Sequence, residues 1–268
     1  MEEVKAGLGR RSVRLLTTLS VRRQNIFTAE DAAGILNNGR NNVNNMLYQL
    51  VNKRWLQRLE KGKYLILPLE SGLKGKYLVH RLVIGPKLIN PYYISYESAL
   101  KYYGYTEQVS CTLTIATTQR KKELRINGDS YRFIRVIPYK FFGFKKVWFR
   151  HREINVAERE KLILDCLDRL DACGGIVEAA KGLWYGKDEI SFTKLIKYAG
   201  KMKNRAVLQR LGFLMEFYAI RPDFLETVRS NISGSYTLLD NTLPSRGSYV
   251  ERWKVRVNIP EEELKSFQ

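Results

Sequence analysis

The chain has 268 residues and carries 46 lysines and arginines against 27 aspartates and glutamates, giving a formal net charge of +19. This excess is larger than solubility requires and predicts a polyanionic partner, for which nucleic acid is a better match than a membrane. The chain has only two histidines, which argues against histidine-based catalysis. It has three cysteines, and no two of them form a CxxC pair, so neither a zinc site nor a disulfide framework is indicated.

The distribution of charge and apolarity narrows the class of protein further. Residues 1–90 hold 16 basic against 6 acidic side chains, residues 91–170 hold 15 against 9, and residues 171–268 hold 15 against 12. The basic excess is therefore greatest near the N-terminus. No apolar run approaches the ~20 residues of a membrane-spanning helix, and the opening residues MEEVKAGLGRR lack the apolar core of a signal peptide. We expect a cytoplasmic protein in a reducing compartment.

Two helices and a turn are predicted before residue 40. Residues 8–21 place four leucines on one side of a helix. The other sides of this helix carry three arginines, Arg10, Arg11 and Arg14. Thr28 precedes Asp31 by three residues, which is the spacing of a capped N-terminus and predicts a second helix. The sequence Asn-Asn-Gly at residues 37–39 then predicts a turn.

The next stretch, residues 40–54, predicts a third helix with two contrasting faces. Its apolar residues recur at helical spacing and form one continuous stripe, made of Val43, Met46, Leu47, Leu50 and Val51. The opposite face carries polar side chains without an acid: Asn41, Asn45, Tyr48, Gln49 and Asn52, with Arg40 and Lys53 near the two ends. The pattern therefore predicts one buried face and one polar, exposed face.

Asparagine is a poor helix former, so several asparagines on an exposed helical face suggest that these residues have a functional role. Asn and Gln can bond an adenine edge in the major groove through two hydrogen bonds. We interpret residues 40–54 as a recognition helix. The alternative is an Asn-rich loop that precedes an ordinary surface helix.

Two short β-prone runs, residues 55–59 and 64–67, are joined by Glu-Lys-Gly-Lys and ended by Pro68, which predicts a hairpin. Helix, helix, turn, helix and hairpin is the order of a winged helix-turn-helix, so residues 1–68 are predicted to be a DNA-binding domain. Lysines at the tip of the hairpin could contact the phosphates or the minor groove of DNA. The residues predicted to contact DNA are Arg10, Arg11, Arg14, Arg40, Asn41, Asn45, Tyr48, Gln49, Asn52, Lys53, Arg58, Lys61 and Lys63.

The remainder of the chain predicts a second domain and an α+β fold for the whole protein. Residues 69–90 are interpreted as a linker. Residues 91–268 are predicted to form a small mixed sheet at about 91–150, helices at about 156–231 and a β-prone tail at 232–268. The aromatic residues at 141–149 are expected to supply the core of the sheet rather than a platform for stacking bases.

The motifs of a catalytic site are absent. Four carboxylates, Glu158, Glu160, Asp165 and Asp168, are better explained by the electrostatics of a helix than by catalysis. No glycine-rich loop ends in Gly-Lys-Ser or Gly-Lys-Thr, and Gly234-Ser235 is not followed by the Asp-x-Asp of a nucleotidyltransferase. We expect neither an enzyme nor a bound cofactor or metal.

Several ordered segments resemble the AbiEi family of abortive-infection antitoxins and related transcriptional regulators. After the predicted winged domain these are YISYESALKYYGYTEQ at 93–108, VAEREKLILDCL at 156–167, RLGFLMEF at 210–217 and RWKVRVN at 252–258. The resemblance implies the antitoxin of a type IV toxin-antitoxin system, with a winged helix that represses its own operon. It also implies a C-terminal domain that counters a nucleotidyltransferase-like toxin without necessarily binding it. The Asn-rich helix and the strong basicity depart from the family pattern.

The first expected partner is double-stranded DNA, namely the operator of the protein's own operon. The second is the nucleotidyltransferase-like toxin. We do not expect the protein to bind a membrane. Two rival functions use the same features. A protein that binds structured RNA would have the same charge but would bind RNA as well as DNA. A winged-helix scaffold for protein interactions would show no salt-dependent binding to nucleic acid.

Overall fold

The protein divides into two compact units, Met1–His80 and Arg81–Gln268. The computed structural model describes residues 7–68, 79–150 and 152–268, apart from the side chain of Arg40. Helices and several small sheets occur together in the chain, so the fold is mixed α+β, as the sequence predicts. No helix in the described ranges is both long and apolar enough to cross a membrane.

The first unit combines helices with one antiparallel sheet. Its helices are α1 (Arg10–Val21), α2 (Ala29–Leu36) and α3 (Arg40–Asn52). Its strands are β1 (Ile26–Thr28), β2 (Leu56–Glu60) and β3 (Lys63–Ile66), with β3 in the middle. The three helices and the hairpin of β2 and β3 confirm the predicted order of elements.

Local interactions define the ends of α2, as its sequence predicts. The Asp31 backbone N–H donates to the Thr28 hydroxyl over 3.1 Å, and the Thr28 backbone N–H donates to the Asp31 carboxylate over 2.7 Å. This reciprocal pair satisfies two N–H groups that a helix start leaves without partners. Asn37 then takes a left-handed conformation with φ of 48° and ends the helix.

The apolar stripe of α3 anchors it to the rest of the first unit. Val43, Leu47 and Leu50 are each at most 2 % exposed and belong to a core cluster with leucines of α1 and with Phe27. Met46 and Val51 pack half-buried against the same cluster. The predicted stripe is thus confirmed, and α3 can present only its opposite face outward.

The sheet of the first unit holds one strand that sequence analysis missed. β1 pairs with β3 along Ile26↔Leu65, Phe27↔Tyr64 and Thr28↔Lys63. Three residues are too few to show the alternation that identifies a strand in a sequence. The hairpin turn itself is as predicted, with Gly62 at φ of +77°, a conformation that glycine adopts without a steric penalty.

The second unit contains a six-stranded mixed sheet, a group of helices and a small three-stranded sheet, all within the described residues. Its helices are α4 (Arg81–Leu88), α5 (Tyr96–Tyr103), α6 (Arg159–Asp168), α7 (Ile176–Gly186), α8 (Phe192–Met202), α9 (Arg205–Phe217), α10 (Leu225–Arg229) and α11 (Glu261–Lys265). Its strands are β4 (Tyr93–Ile94), β5 (Thr112–Thr117), β6 (Leu124–Ile126), β7 (Asp129–Arg135), β8 (Phe144–Phe149), β9 (Arg152–Ala157), β10 (Thr237–Leu238), β11 (Ser248–Val250) and β12 (Val255–Val257). The large sheet has the order β6-β7-β5-β4-β9-β8 and the small one β10-β12-β11.

The order of elements in the second unit follows the predicted sheet, helices and β-prone tail. The Asn127-Gly128 pair joins β6 to β7 with both residues at positive φ, as a tight hairpin turn requires. α5 ends at Gly104, also as predicted. The tail forms three strands and then α11, a closing helix that sequence analysis did not predict.

The predicted linker at 69–90 is wrong in its second half. Residues 69–78 lie outside the described part of the chain, but Arg81–Leu88 form α4 in the second unit. Pro86 lies in the last turn of this short helix. Gly85 is buried, and a Cβ there would lie 2.4 Å from the Leu113 side chain, so the backbone of α4 packs closely against β5.

The prediction that the aromatic residues at 141–149 supply the core is correct only in part. Phe141 and Phe144 pack against buried Tyr93, with ring centroids 5.2 and 5.1 Å from that ring. Trp148, in contrast, is 72 % exposed. β8 is an edge strand with β9 as its neighbour on one side, and the end of β8 leaves this indole uncovered.

Adjacent substitutions in α3 test the orientation of this helix. We expect Leu47→Ala to lower the free energy of unfolding of the first unit by about 2–5 kcal/mol, because it removes a fully buried side chain. Tyr48→Ala should change it by no more than about 0.5 kcal/mol, since that ring is 68 % exposed. Amide hydrogen exchange of peptides from Met1–His80 in the full chain measures both values. Equal losses of unfolding free energy in the two variants would contradict the orientation of α3 described above.

Candidate nucleic-acid interface

The outward face of α3 carries the polar residues that the sequence singled out. Asn41, Asn45, Tyr48, Gln49 and Asn52 are all exposed, and the tyrosine ring is 68 % exposed. Because the apolar side of the helix is buried, these five side chains share one surface. The Arg40 side chain lies outside the described part of the structure. The face therefore offers amide and hydroxyl groups, which can both donate and accept hydrogen bonds.

Residues 9–12, around the start of α1, lie beside α3 and bring two arginines to it. A groove of about 480 Å³ separates the two segments, with Arg10 and Arg11 on one wall and Asn45 and Gln49 on the other. The Lys53 ammonium donates to the Gly7 carbonyl over 3.2 Å and ties the end of α3 to the same segment. Sequence analysis listed these arginines but could not show that they lie next to the asparagine face.

Two further asparagines belong to this site. Asn38 and Asn42 also line the groove, and the Asn42 amide donates to the Asn38 side-chain oxygen over 3.4 Å. Asn42 lies three residues before Asn45, so helical spacing was a signal that pointed to it. Arg14 is exposed on α1 but is not among the residues that line the groove.

The three predicted cations of the hairpin differ in their surroundings. Lys61 is exposed at the turn between β2 and β3. Lys63 pairs with Glu60 at 3.0 Å, and the Arg58 guanidinium donates to the Glu60 carbonyl over 3.4 Å. The carboxylate offsets the charge of Lys63, so Lys61 is the hairpin lysine best placed for a polyanion.

The carboxylates at the start of α6 serve the fold. Glu158 is the N-cap residue of this helix and accepts from the Tyr198 hydroxyl over 2.8 Å. Glu160, in the first turn, accepts from the Ser191 backbone N–H over 3.0 Å, and Lys194 pairs with both glutamates. Negative charge at a helix N-terminus offsets the helix dipole, as predicted.

Asp165 belongs to a different arrangement, a buried ion pair. It pairs with Lys161, whose side chain is fully buried, and accepts from the Tyr93 and Ser95 hydroxyls over 3.1 and 2.8 Å. Burial raises the pKa of the Asp165 carboxyl, and the ammonium of Lys161 opposes that rise. Asp165 is 1 % exposed, so a substrate cannot reach it. The helix-dipole explanation given for Glu158 and Glu160 does not extend to this residue, whose role is the buried ion pair.

Asp168 pairs with Lys140 at 2.7 Å and accepts from the Asn204 amide over 2.6 Å, so it too is held in structural contacts. Across residues 7–68, 79–150 and 152–268, no group of three or more His, Cys, Asp and Glu side chains could hold a metal ion. The surface that these observations favour as a site is thus the polar face of α3 with the groove and hairpin beside it.

Comparisons with known proteins support the fold of the whole chain. No family model and no curated protein matches it. Among solved structures, the chain is similar to the crystal structure of the RV2827C protein from Mycobacterium tuberculosis, with a TM-score of 0.69 and 12 % sequence identity. The likeness covers 99 % of this chain and 97 % of that one. At this identity, the two proteins share a fold across nearly their full lengths.

Proposed function

We propose that the first unit is a winged helix-turn-helix and that the protein is a sequence-specific DNA-binding repressor. In this assignment α2 and α3 form the helix-turn-helix, and the hairpin of β2 and β3 is the wing. The second part of the proposal is that the protein acts as the antitoxin of a type IV toxin-antitoxin system and counters a nucleotidyltransferase-like toxin.

The orientation of α3 is the observation that carries the DNA-binding proposal. Burial of Val43, Leu47 and Leu50 forces Asn41 and Asn45 outward together. A helix that is docked on one face and polar on the other can enter a major groove, where asparagine can bond the edge of adenine. α3 contains no acidic residue that phosphates would repel.

The surroundings of α3 add the electrostatic part of the interface. Arg10 and Arg11 border the groove on one side of the helix, and Lys61 is exposed at the tip of the hairpin. Phosphate contacts of this kind fix the position of a protein on a duplex without reading its sequence. The site therefore offers both base readout and backbone contacts.

The antitoxin part of the proposal is supported by the resemblance of the ordered segments to the AbiEi family. Within the second unit those segments form β4 and α5, most of α6, the second half of α9, and β12. These segments mainly supply residues that pack within the second unit. The effect of the second unit on the toxin does not depend on DNA binding, so the repressor and antitoxin parts of the proposal are tested separately.

The first test separates base readout from general affinity. Asn41→Ala or Asn45→Ala should cost about 1–3 kcal/mol of binding free energy on the operator and much less on a random duplex, because a bidentate base contact is lost. Asn25→Ala is the matched control. Asn25 is an exposed asparagine of the first unit that belongs neither to α3 nor to the residues that line the groove.

The full chain and each variant are titrated against both duplexes, together with a fully base-paired RNA duplex, which offers no unpaired bases. An unchanged preference for the operator in the Asn41 and Asn45 variants would show that α3 is not a reading helix. Equal binding to the RNA would favour an RNA-binding protein. No salt-dependent binding at all would favour a protein scaffold.

The two hairpin lysines should behave differently. Lys61→Ala should weaken operator and random DNA about equally and lower the slope of log K against log salt by about one. Lys63→Ala should have a smaller effect, because Glu60 already offsets its charge at 3.0 Å. Glu60→Gln should strengthen binding to both duplexes. A larger loss from Lys63→Ala than from Lys61→Ala would contradict this assignment.

The antitoxin activity should not depend on DNA binding. The full chain carrying both Asn41→Ala and Asn45→Ala should relieve growth arrest by its cognate nucleotidyltransferase as well as the parent chain does. Both genes are expressed from unrelated promoters, so repression plays no part in the readout. If the parent chain does not rescue growth while its folded protein accumulates, a repressor function alone remains.

A further inference from the structure

The small sheet of the second unit and the residues that flank its strands bring two exposed tyrosines and two basic side chains together. Tyr236 and Tyr249 are 40 % and 59 % exposed, and their ring centroids lie 4.8 Å apart in an edge-to-face arrangement. The Lys254 ammonium lies 5.2 Å from the first ring, and the Arg256 guanidinium lies 5.1 Å from the second. We call these four residues the tyrosine face.

The opposite side of the same sheet is anchored in the core. Trp253 and Val255 are fully buried. The indole lies so close to Gly212 of α9 that a Cβ there would be 2.2 Å from the ring. Arg256 is fixed as well, because its guanidinium donates to the Gly247 carbonyl over 3.3 Å and to the Ser245 hydroxyl over 2.9 Å. The backbone beneath the tyrosine face and the Arg256 side chain are thus held in place before a ligand binds, which lowers the entropy cost of binding.

The charge around the tyrosine face is positive. Of the two acidic residues between positions 232 and 258, Asp240 is 2 % exposed and accepts from the Ile176 backbone N–H over 2.7 Å. The other, Glu251, pairs with Lys254 at 3.5 Å. Arg256 adds positive charge beside the Tyr249 ring. Arg246, in the loop between β10 and β11, is exposed and lies between Ser245 and Gly247, which both accept hydrogen bonds from Arg256. An anionic ligand is therefore favoured.

We propose that the tyrosine face binds single-stranded RNA. Unpaired bases stack on tyrosine rings and on guanidinium planes, while basic side chains follow the backbone. A duplex does not offer this contact, since its bases are already stacked on one another. Phenol hydroxyls at both aromatic positions can bond a ribose 2′-hydroxyl, which DNA lacks.

This site is independent of the proposed contact between α3 and duplex DNA. It lies in the second unit, uses other residues and recognises unpaired bases. An intramolecular explanation is that the two cations merely stabilise the small sheet. In that case, removing the rings would change stability but not binding to RNA.

The test uses the full chain and two fluorescein-labelled oligonucleotides of twelve residues, oligouridylate and oligodeoxyuridylate, which differ only in the 2′-hydroxyl. The parent chain should bind the RNA more tightly than the DNA in fluorescence anisotropy at low salt. Tyr236→Ala with Tyr249→Ala should weaken RNA binding about tenfold or more, because two stacking contacts are lost. Arg246→Ala should lower the salt slope by about 0.7.

Matched controls keep the test specific. Tyr139→Ala removes another exposed tyrosine, 48 % exposed and 5.4 Å from the Lys203 ammonium, and should leave RNA binding unchanged. Replacing both tyrosines of the face by phenylalanine keeps the packing and should abolish the preference for RNA over DNA.

Three results would overturn the proposal. The first is no binding of oligouridylate by the parent chain at low salt. The second is undiminished binding by the double alanine variant, with a melting temperature equal to that of the parent chain. The third is equal affinity of the parent chain for the two oligonucleotides. If the tyrosine face instead binds a protein, the parent chain should not bind oligouridylate, which is the first of these results.

Discussion

Burial of the apolar side of α3 is the constraint on which the candidate interface depends. Val43, Leu47 and Leu50 lie in the core of the first unit, so the helix has one possible rotation about its own axis. A rotation by half a turn would expose about three large apolar side chains, each worth roughly 1.5–3 kcal/mol when buried. The polar face is therefore held outward by core packing, not by any interaction of its own.

Charged side chains form a buried pair in the core of the second unit and determine the basicity of the hairpin in the first. In the core of the second unit, Lys161 and Asp165 are paired and hydrogen-bonded because an unpaired buried charge would be strongly destabilising. On the hairpin, the contact with Glu60 removes part of the charge that Lys63 offers to a ligand. The net charge of +19 thus overstates the basicity of any one surface, and local pairing decides where a polyanion is attracted.

Two surfaces with different chemistry emerge from the described residues. The face of α3 is rich in amides, which can read the edges of paired bases. The tyrosine face combines rings with cations, which suits unpaired bases. Each surface is displayed by an element whose other side is buried, α3 by its leucines and the small sheet by Trp253. In both cases packing in the core supplies the rigidity that recognition requires.

The sequence by itself determined the α+β class, the order of elements in the first unit and the polar face of α3, because helical periodicity and the Thr28 cap are local signals. Only the tertiary structure decided the rest. It placed Arg10 and Arg11 beside Asn45, formed α4 from residues in the second half of the expected linker and buried Asp165. These features depend on contacts between segments distant in the chain or on the packing of a short segment, and no residue pattern within a single element encodes such contacts.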